Sequence, residues 1–174
     1  MTYILAIVCS VVVLLADQIT KFFVASNYSQ LSNSFPLIKN IINFTYVENG
    51  GAAFGIFHNK KWLILAITIV IMIVCVGLLV KKAFNSKIMF WALCLVLSGG
   101  VGNMIDRIFR GGYVIDFIQF DFFKAFPVFN IADIAVSVGA GLIVLYFILD
   151  TIKEMRNNKR GKIIDIPEVD IDEK

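Results

Sequence analysis

The sequence predicts a mainly α-helical membrane protein, a bundle of four transmembrane helices. Three observations predict it. Of the 174 residues, 59% are hydrophobic and only 17% are charged, with a mean hydropathy of +0.82. Soluble domains carry about 45–50% apolar and about 25% charged residues. Four segments each supply the roughly 20 apolar residues that a helix needs to cross hydrocarbon. Phe is abundant, with 16 copies, and Pro is rare, with three, which suits helices in lipid with an aromatic interface. An ordinary soluble domain and a disordered chain are both excluded. A net charge of +3 argues against a nucleic-acid partner.

The first span covers about Tyr3 to Ala25 and is interrupted by Asp17 and Lys21. It lacks a basic lead-in and a small-residue cleavage site, so it is expected to be a retained helix and not a signal peptide. Leu5 to Cys9 is a poor lipoprotein cleavage box, because bulky Val8 stands where a small residue is needed. The second span, about Trp62 to Val80, has no charge. The third, about Ile88 to Ile105, turns glycine-rich near its end. The fourth, about Ile131 to Leu149, carries Asp133 at its start. Outer loops cover about 26–61 and 106–130. Residues 1–152 form one membrane domain, and 153–174, basic and then acidic, a flexible cytoplasmic tail.

Positive charge orients the bundle. Lys81, Lys82 and Lys87 crowd one short loop, and Lys153, Arg156, Lys159, Arg160 and Lys162 follow the fourth span. Both groups fall on one side, which places both termini in the cytoplasm. Lys39, Lys60, Lys61, Arg107, Arg110 and Lys124 oppose that bias from the other side.

This orientation sends the intramembrane polar residues to one level. Asp17 and Lys21 lie toward the outer end of the first span, Asn103, Asp106 and Arg107 at the outer end of the third, and Asn130 and Asp133 at the outer start of the fourth. Asn49 and Asp116 lie in the outer loops. Ionisable groups in a membrane are costly and face a protein interior or a cavity. Chance would scatter them.

Each group also has an ordinary reading. Asp17 and Lys21, four apart, form a structural pair on one helix face. Asn49 to Gly55 is either a tight turn or a ledge for an extended peptide. Ser98 to Arg107 joins glycines for close helix approach to Asn103, Asp106 and Arg107, which share a face. Asp106 and Arg107 are expected to partner in a network that props up the site, or else to be solvated charges at a helix end. Asp116, in the extended apolar segment Tyr113 to Phe120, is a strand-edge acid or a proton-transfer group with a raised pKa. Asn130 and Asp133 resemble a helix capping box. Opposite Asp116 at the same depth, however, Asp133 becomes half of a carboxylate pair.

Two such carboxylates share a proton and hydrolyse a peptide without a metal. Asp121 looks interfacial, Glu48 has no evident partner, and His58 is a loop residue with no neighbouring ligand. Cys9, Cys75 and Cys94 lie in apolar runs and suit neither a disulfide framework nor zinc. No cofactor is expected. A proton or ion conductor would need polar residues along a whole path, and the second span is wholly apolar. A non-catalytic assembly subunit would explain the glycines but not two acids at one depth.

Five motifs occur in order: Asp17-Gln-x-x-Lys21, Asn49-x-Gly-Ala-Ala-Phe54, Gly99-Gly-x-Gly-Asn-x-x-Asp-Arg107, Val114-x-Asp-Phe117 and Phe129-Asn-x-Ala-Asp133. Together, from about residue 10 to 135, they resemble bacterial lipoprotein signal peptidase, or signal peptidase II. The resemblance implies an intramembrane aspartyl endopeptidase of the bacterial cytoplasmic membrane. That family cleaves prolipoproteins before a cysteine carrying diacylglyceryl. Its catalytic pair falls on Asp116 and Asp133. Its supporting residues fall on Asn49, Asn103, Asp106, Arg107 and Asn130, with Asp17 and Lys21 in the first-helix motif. It implies a small extracytoplasmic β-sheet, here about Asn27 to His58. Ile134 departs from the small hydroxyl residue the family often has there. The expected partners are the lipidated signal peptide and membrane lipid, with the chain a monomer. The aromatic segment Phe120 to Phe126 is expected to anchor an interfacial loop.

Overall fold

The computed structural model describes residues 2–31, 34–51 and 60–164, with side chains described to Asn158. Its elements, in chain order, are α1 (Thr2–Ser26), α2 (Tyr28–Leu31), β1 (Phe35–Ile38), β2 (Ile42–Asn49), α3 (Lys61–Val80), α4 (Lys87–Phe109), β3 (Val114–Phe120) and α5 (Ile131–Ile164). The helices α1, α3, α4 and α5 are long and apolar enough to cross a membrane, as expected.

The centre of the bundle is α4, which packs against α1, α3 and α5. Small residues permit this. A Cβ at Gly139 of α5 would lie 2.7 Å from Val96 Cγ2 and 2.8 Å from the Ala92 carbonyl oxygen of α4. In lipid, where apolar burial gives little drive between helices, such close packing holds them together. The outer faces stay apolar and uncovered. In α3 only Ile64 and Cys75 are buried, which suits a helix bathed in lipid.

At one end sits a three-stranded antiparallel sheet in the order β1–β2–β3. Val47 pairs with Asp116 and Asn49 with Val114, and a bulge interrupts the ladder between Phe44 and Val47. Alternation along each strand therefore puts Val47, Asn49 and Asp116 on one face. The opposite face sends Ile115 and Phe117 into a cluster with Val24 and Leu31. Each such buried apolar side chain is worth about 1.5–3 kcal/mol, so this cluster seats the sheet on the end of α1. After β3 the chain doubles back, and Ile118 and Phe129 exchange backbone hydrogen bonds of 2.8 and 3.0 Å. That return delivers Asn130 beside Asp116. The ring of Phe120 packs against those of Phe126 and Phe129 in the same turn.

The structure differs from expectation in three places. The sheet is not confined to about Asn27–His58: its third strand is β3, the extended segment around Asp116. The short helix α2 was not expected. The helix α5 continues past Leu149 to Ile164, so the chain from Lys153 to Ile164 is helical where a flexible tail was expected. No proline interrupts it before Pro167, and Lys, Glu, Met and Arg are good helix formers. Residues 165–174 lie outside the described residues, as do His58 and the part of the Asn49–Gly55 stretch beyond Gly51.

Candidate functional site

The sheet end of the bundle gathers Asp17, Lys21, Asn49, Asn103, Asp106, Arg107, Asp116, Asn130 and Asp133, the polar residues expected at the site. Asp116, on β3, is buried. Its Oδ2 accepts from Asn49 Nδ2 at 2.8 Å and its Oδ1 from Asn130 Nδ2 at 2.6 Å. Asp133 lies in the first turn of α5. Its Oδ1 accepts from Asn103 Nδ2 at 2.7 Å, and its Oδ2 from the Asn130 backbone N–H at 3.1 Å. The Asp133 N–H donates to Asn130 Oδ1 at 2.9 Å. This is a reciprocal capping box, and it leaves the second carboxylate oxygen of Asp133 for Asn103. Asn130 thus touches both acids, Asp116 through its amide nitrogen and Asp133 through its amide oxygen and backbone.

Burial pushes the Asp116 carboxyl up to about 7, and the charge of Asp133 pushes in the same direction. The amides of Asn49 and Asn130, which favour the ionised form, pull against this rise. Near neutral pH, Asp116 is therefore available both as acid and as base.

The two acids border a cavity of about 570 Å³. Its walls near them include Asn49, Asn103 and Arg107, while Thr68, Met72 and Val136 line an apolar limb between α3, α4 and α5. A groove of this kind accepts an apolar segment and presents one polar point on it to the acids. No three His, Cys, Asp or Glu side chains gather to ligate a metal among the described residues.

Behind Asn103 lies a buried charge network. Lys21 Nζ is 2.9 Å from Asp17 Oδ2, 3.0 Å from Asp106 Oδ2 and 2.9 Å from Asn103 Oδ1. All three ammonium protons therefore find acceptors. Asp17 Oδ1 accepts from the Ala132 N–H at 2.9 Å, and Asp106 Oδ2 from the Ile115 N–H at 3.2 Å. A Cβ at Gly102 would stand 2.7 Å from Asp17 Oδ2, so only glycine admits the carboxylate there. The pair Asp17–Lys21 forms as expected, but Lys21 also binds a second acid. One lysine ties α1 to α4, and its two carboxylates reach on to β3 and α5.

Asp106 and Arg107 do not pair. Successive helix residues point about 100° apart. Asp106 turns to Lys21 and to Arg110 Nε at 3.3 Å. Arg107 turns to the cavity, where its Nη2 donates to the Gly51 carbonyl at 3.1 Å. Arg110 and Gln18 were not singled out from the sequence. Arg110 had a signal in its spacing of four from Asp106. Gln18, whose Nε2 donates to Asp17 Oδ2 at 3.0 Å and the Gly102 carbonyl at 3.2 Å, lies inside the first-helix motif. Glu48 does have a partner: Tyr46 Oη donates to it at 2.6 Å. Asp121 stays outside the cavity, held by Asn43 at 3.1 Å and near Lys124 at 3.8 Å.

Fold and site define a class, a multi-pass membrane protein with two carboxylates at the head of an apolar groove. Comparison with known proteins narrows it. Residues 9–149 match the family model described as signal peptidase (SPase) II. The chain is 45% identical over 136 residues to the lipoprotein signal peptidase of Caldanaerobacter subterraneus subsp. tengcongensis, covering 78% of this chain and 90% of that protein. It is 40% identical over 144 residues to the lipoprotein signal peptidase of Halalkalibacterium halodurans, covering 82% and 91%. Its fold matches a bacterial membrane enzyme solved by the in meso method at 2.3 Å, with a TM-score of 0.78, 37% identity and coverage of 84% and 88%. The chain belongs to the signal peptidase II family. It is a peptidase, and the conductor and assembly-subunit readings give way.

Proposed function

We propose that this peptidase removes the signal peptide from diacylglyceryl-modified prolipoproteins, cleaving before the lipidated cysteine, with Asp116 and Asp133 as its catalytic dyad. The observation that carries the reading is Asn130, whose side-chain amide donates to the Asp116 carboxyl and whose backbone N–H donates to that of Asp133. It links two carboxylates that border one cavity, and on this reading the pair retains one proton between them.

The ionised member takes a proton from water while the water oxygen attacks the scissile carbonyl carbon. The protonated member gives its proton to the carbonyl oxygen, so a neutral gem-diol forms. One acid then protonates the amide nitrogen, the C–N bond breaks, and the other acid recovers the diol proton. The signal peptide leaves with a new carboxyl group, and the lipidated cysteine with a free amine. Asn49, Asn103 and Asn130 hold the acids, Arg107 faces the substrate groove, and the Asp17–Lys21–Asp106 network fixes Asn103 and β3. The signal peptide lies as an apolar helix in the groove, and the acyl chains remain in lipid between the helices. No cofactor is required, and the chain acts as a monomer.

The site faces the extracytoplasmic side of the bacterial cytoplasmic membrane, and both termini are cytoplasmic. Charge supports this orientation. At the sheet end Lys21, Arg110 and Lys124 pair with acids and Arg107 is buried, which leaves Lys39 and Lys60 exposed. At the opposite end Lys81, Lys82, Lys87, Lys153 and Arg156 are exposed.

The test is cleavage of a diacylglyceryl-modified prolipoprotein by purified protein. D116N and D133N are each expected to fold, bind substrate and lose cleavage. Full activity of D133N would reduce that residue to a helix cap and end the dyad mechanism.

A further inference from the structure

The end of the bundle remote from the acids is strongly basic, and its bases are left unused. Lys81, Lys82, Lys87, Lys153 and Arg156 are all exposed, and none is in an ion pair among the described residues. The acids beside them, Asp150 and Glu154, are fewer. The chain adds Lys159, Arg160 and Lys162 along the same helix.

The fold gathers these charges. At the end of α3 the backbone turns sharply, with Lys82 at φ 47°, a left-handed conformation that favours glycine. The N–H groups of Lys81, Lys82 and Ala83 turn back onto the carbonyls of Gly77, Leu79 and Leu78. Phe84 then wedges the loop against α5, its ring centroid 5.6 Å from that of Tyr146 and 6.4 Å from that of Phe147. Lys153 follows Tyr146 by two helical turns, on the same face. The lysines of the loop and the bases of α5 therefore share one side of the bundle.

Depth identifies what they meet. From Asp133 to Lys153 along α5 is about 30 Å at roughly 1.5 Å per residue. The hydrocarbon core of a bilayer is also about 30 Å thick. With the acids at one interface, the basic cluster stands at the headgroups of the other leaflet.

We propose that this cluster is a binding site for anionic phospholipid, its ammonium and guanidinium groups holding headgroup phosphates at the foot of α3, α4 and α5. The site is separate from the peptidase chemistry and does not depend on it. Basic clusters beside membrane helices bind acidic headgroups in this way, each cation being worth about fivefold in affinity near the surface.

The test reconstitutes the full chain in phosphatidylcholine nanodiscs containing trace spin-labelled phosphatidylglycerol or spin-labelled phosphatidylcholine. Electron paramagnetic resonance reads the motionally restricted fraction of each label. We expect a preference for phosphatidylglycerol of at least about fivefold, the worth of one engaged cation, at low salt, largely lost at 1 M salt, where the screening length is about 3 Å. The variant K81Q/K82Q/K87Q/K153Q/R156Q is expected to lose the preference while cleaving substrate in detergent like the wild type. The smaller variant K81Q/K82Q should lose part of it, which covers a failure of the larger one to assemble. Equal restriction of the two lipids by the wild type would overturn the proposal, as would a preference unmoved by salt or by the substitutions. A preference that emerges only after residues 165–174 are deleted would assign the cluster to that acidic tail instead.

Discussion

Replacing Asn130 by Ser separates its two duties. Serine caps a helix as well as asparagine does, so the turn that starts α5 and carries Asp133 should survive. What is lost is the amide nitrogen, which donates to Asp116 Oδ1 at 2.6 Å, to Asn103 Oδ1 at 3.2 Å and to the Ile115 carbonyl at 3.3 Å. A hydrogen bond to a charged group is worth about 1.5–3 kcal/mol. If the ionised pair forfeits that in the transition state, kcat/KM falls by roughly ten- to hundredfold. The same bond favours the Asp116 anion, so its loss moves the carboxyl further above about 7. The assay is the pH profile of kcat/KM on a lipidated prolipoprotein, beside the melting temperature in detergent. N130S is expected to melt close to wild type, cleave slowly, and show its Asp116 ionisation displaced to higher pH. A variant with wild-type rates and an unmoved profile would refute the claim that Asn130 couples the acids.

Three further outcomes follow from the same geometry. Asp116 has a folded-state pKa of about 7 against about 3.9 unfolded. The stability linked to its proton is thus full below pH 4 and is lost as pH rises toward 7, by up to about 4 kcal/mol. D116N should remove that slope from the melting temperature between pH 4 and 7. K21M leaves Asp17 buried without its cation and Asp106 with Arg110 alone, and should cost about 3–5 kcal/mol, read as a lower melting temperature or as loss of folded protein. G102A drives a methyl group against Asp17 Oδ2, 2.7 Å away. It should destabilise by about 1–3 kcal/mol, whereas G141A, with open space around it, should leave the melting temperature within about 0.5 kcal/mol of wild type.

Much of this arrangement was legible in the sequence, because a membrane taxes charge. Apolar length marks the four helices, and the depth of each polar residue picks out one end of the bundle. The level shared by Asp116 and Asp133 is therefore visible in one dimension. Their actual connection is not. Asn49 reaches Asp116 across 67 residues, and Lys21 reaches Asn103 across 82. Such pairings are set by strand register and helix packing, which leave no local trace. The capping box illustrates the difficulty. On paper the cap accounts for Asp133 completely, yet a carboxylate has two oxygens, and the cap takes only Oδ2. Arg107 reaches the site beside Asn103 as expected, but adjacency in sequence is a poor guide to its partner, because successive helix residues point about 100° apart.

One consequence of the topology concerns timing. Asp116 rides on β3, and Asp133 opens α5, the last of the four membrane-length helices among the described residues. A ribosome releases Asp133 only after the three earlier membrane helices and the whole sheet have emerged. On the proposed chemistry, a nascent chain halted at the end of β3 holds one acid and no bridging asparagine. Hydrolysis is thereby postponed until the last helix has docked. Synthesis of α5 thus acts as the safety catch on the proposed dyad.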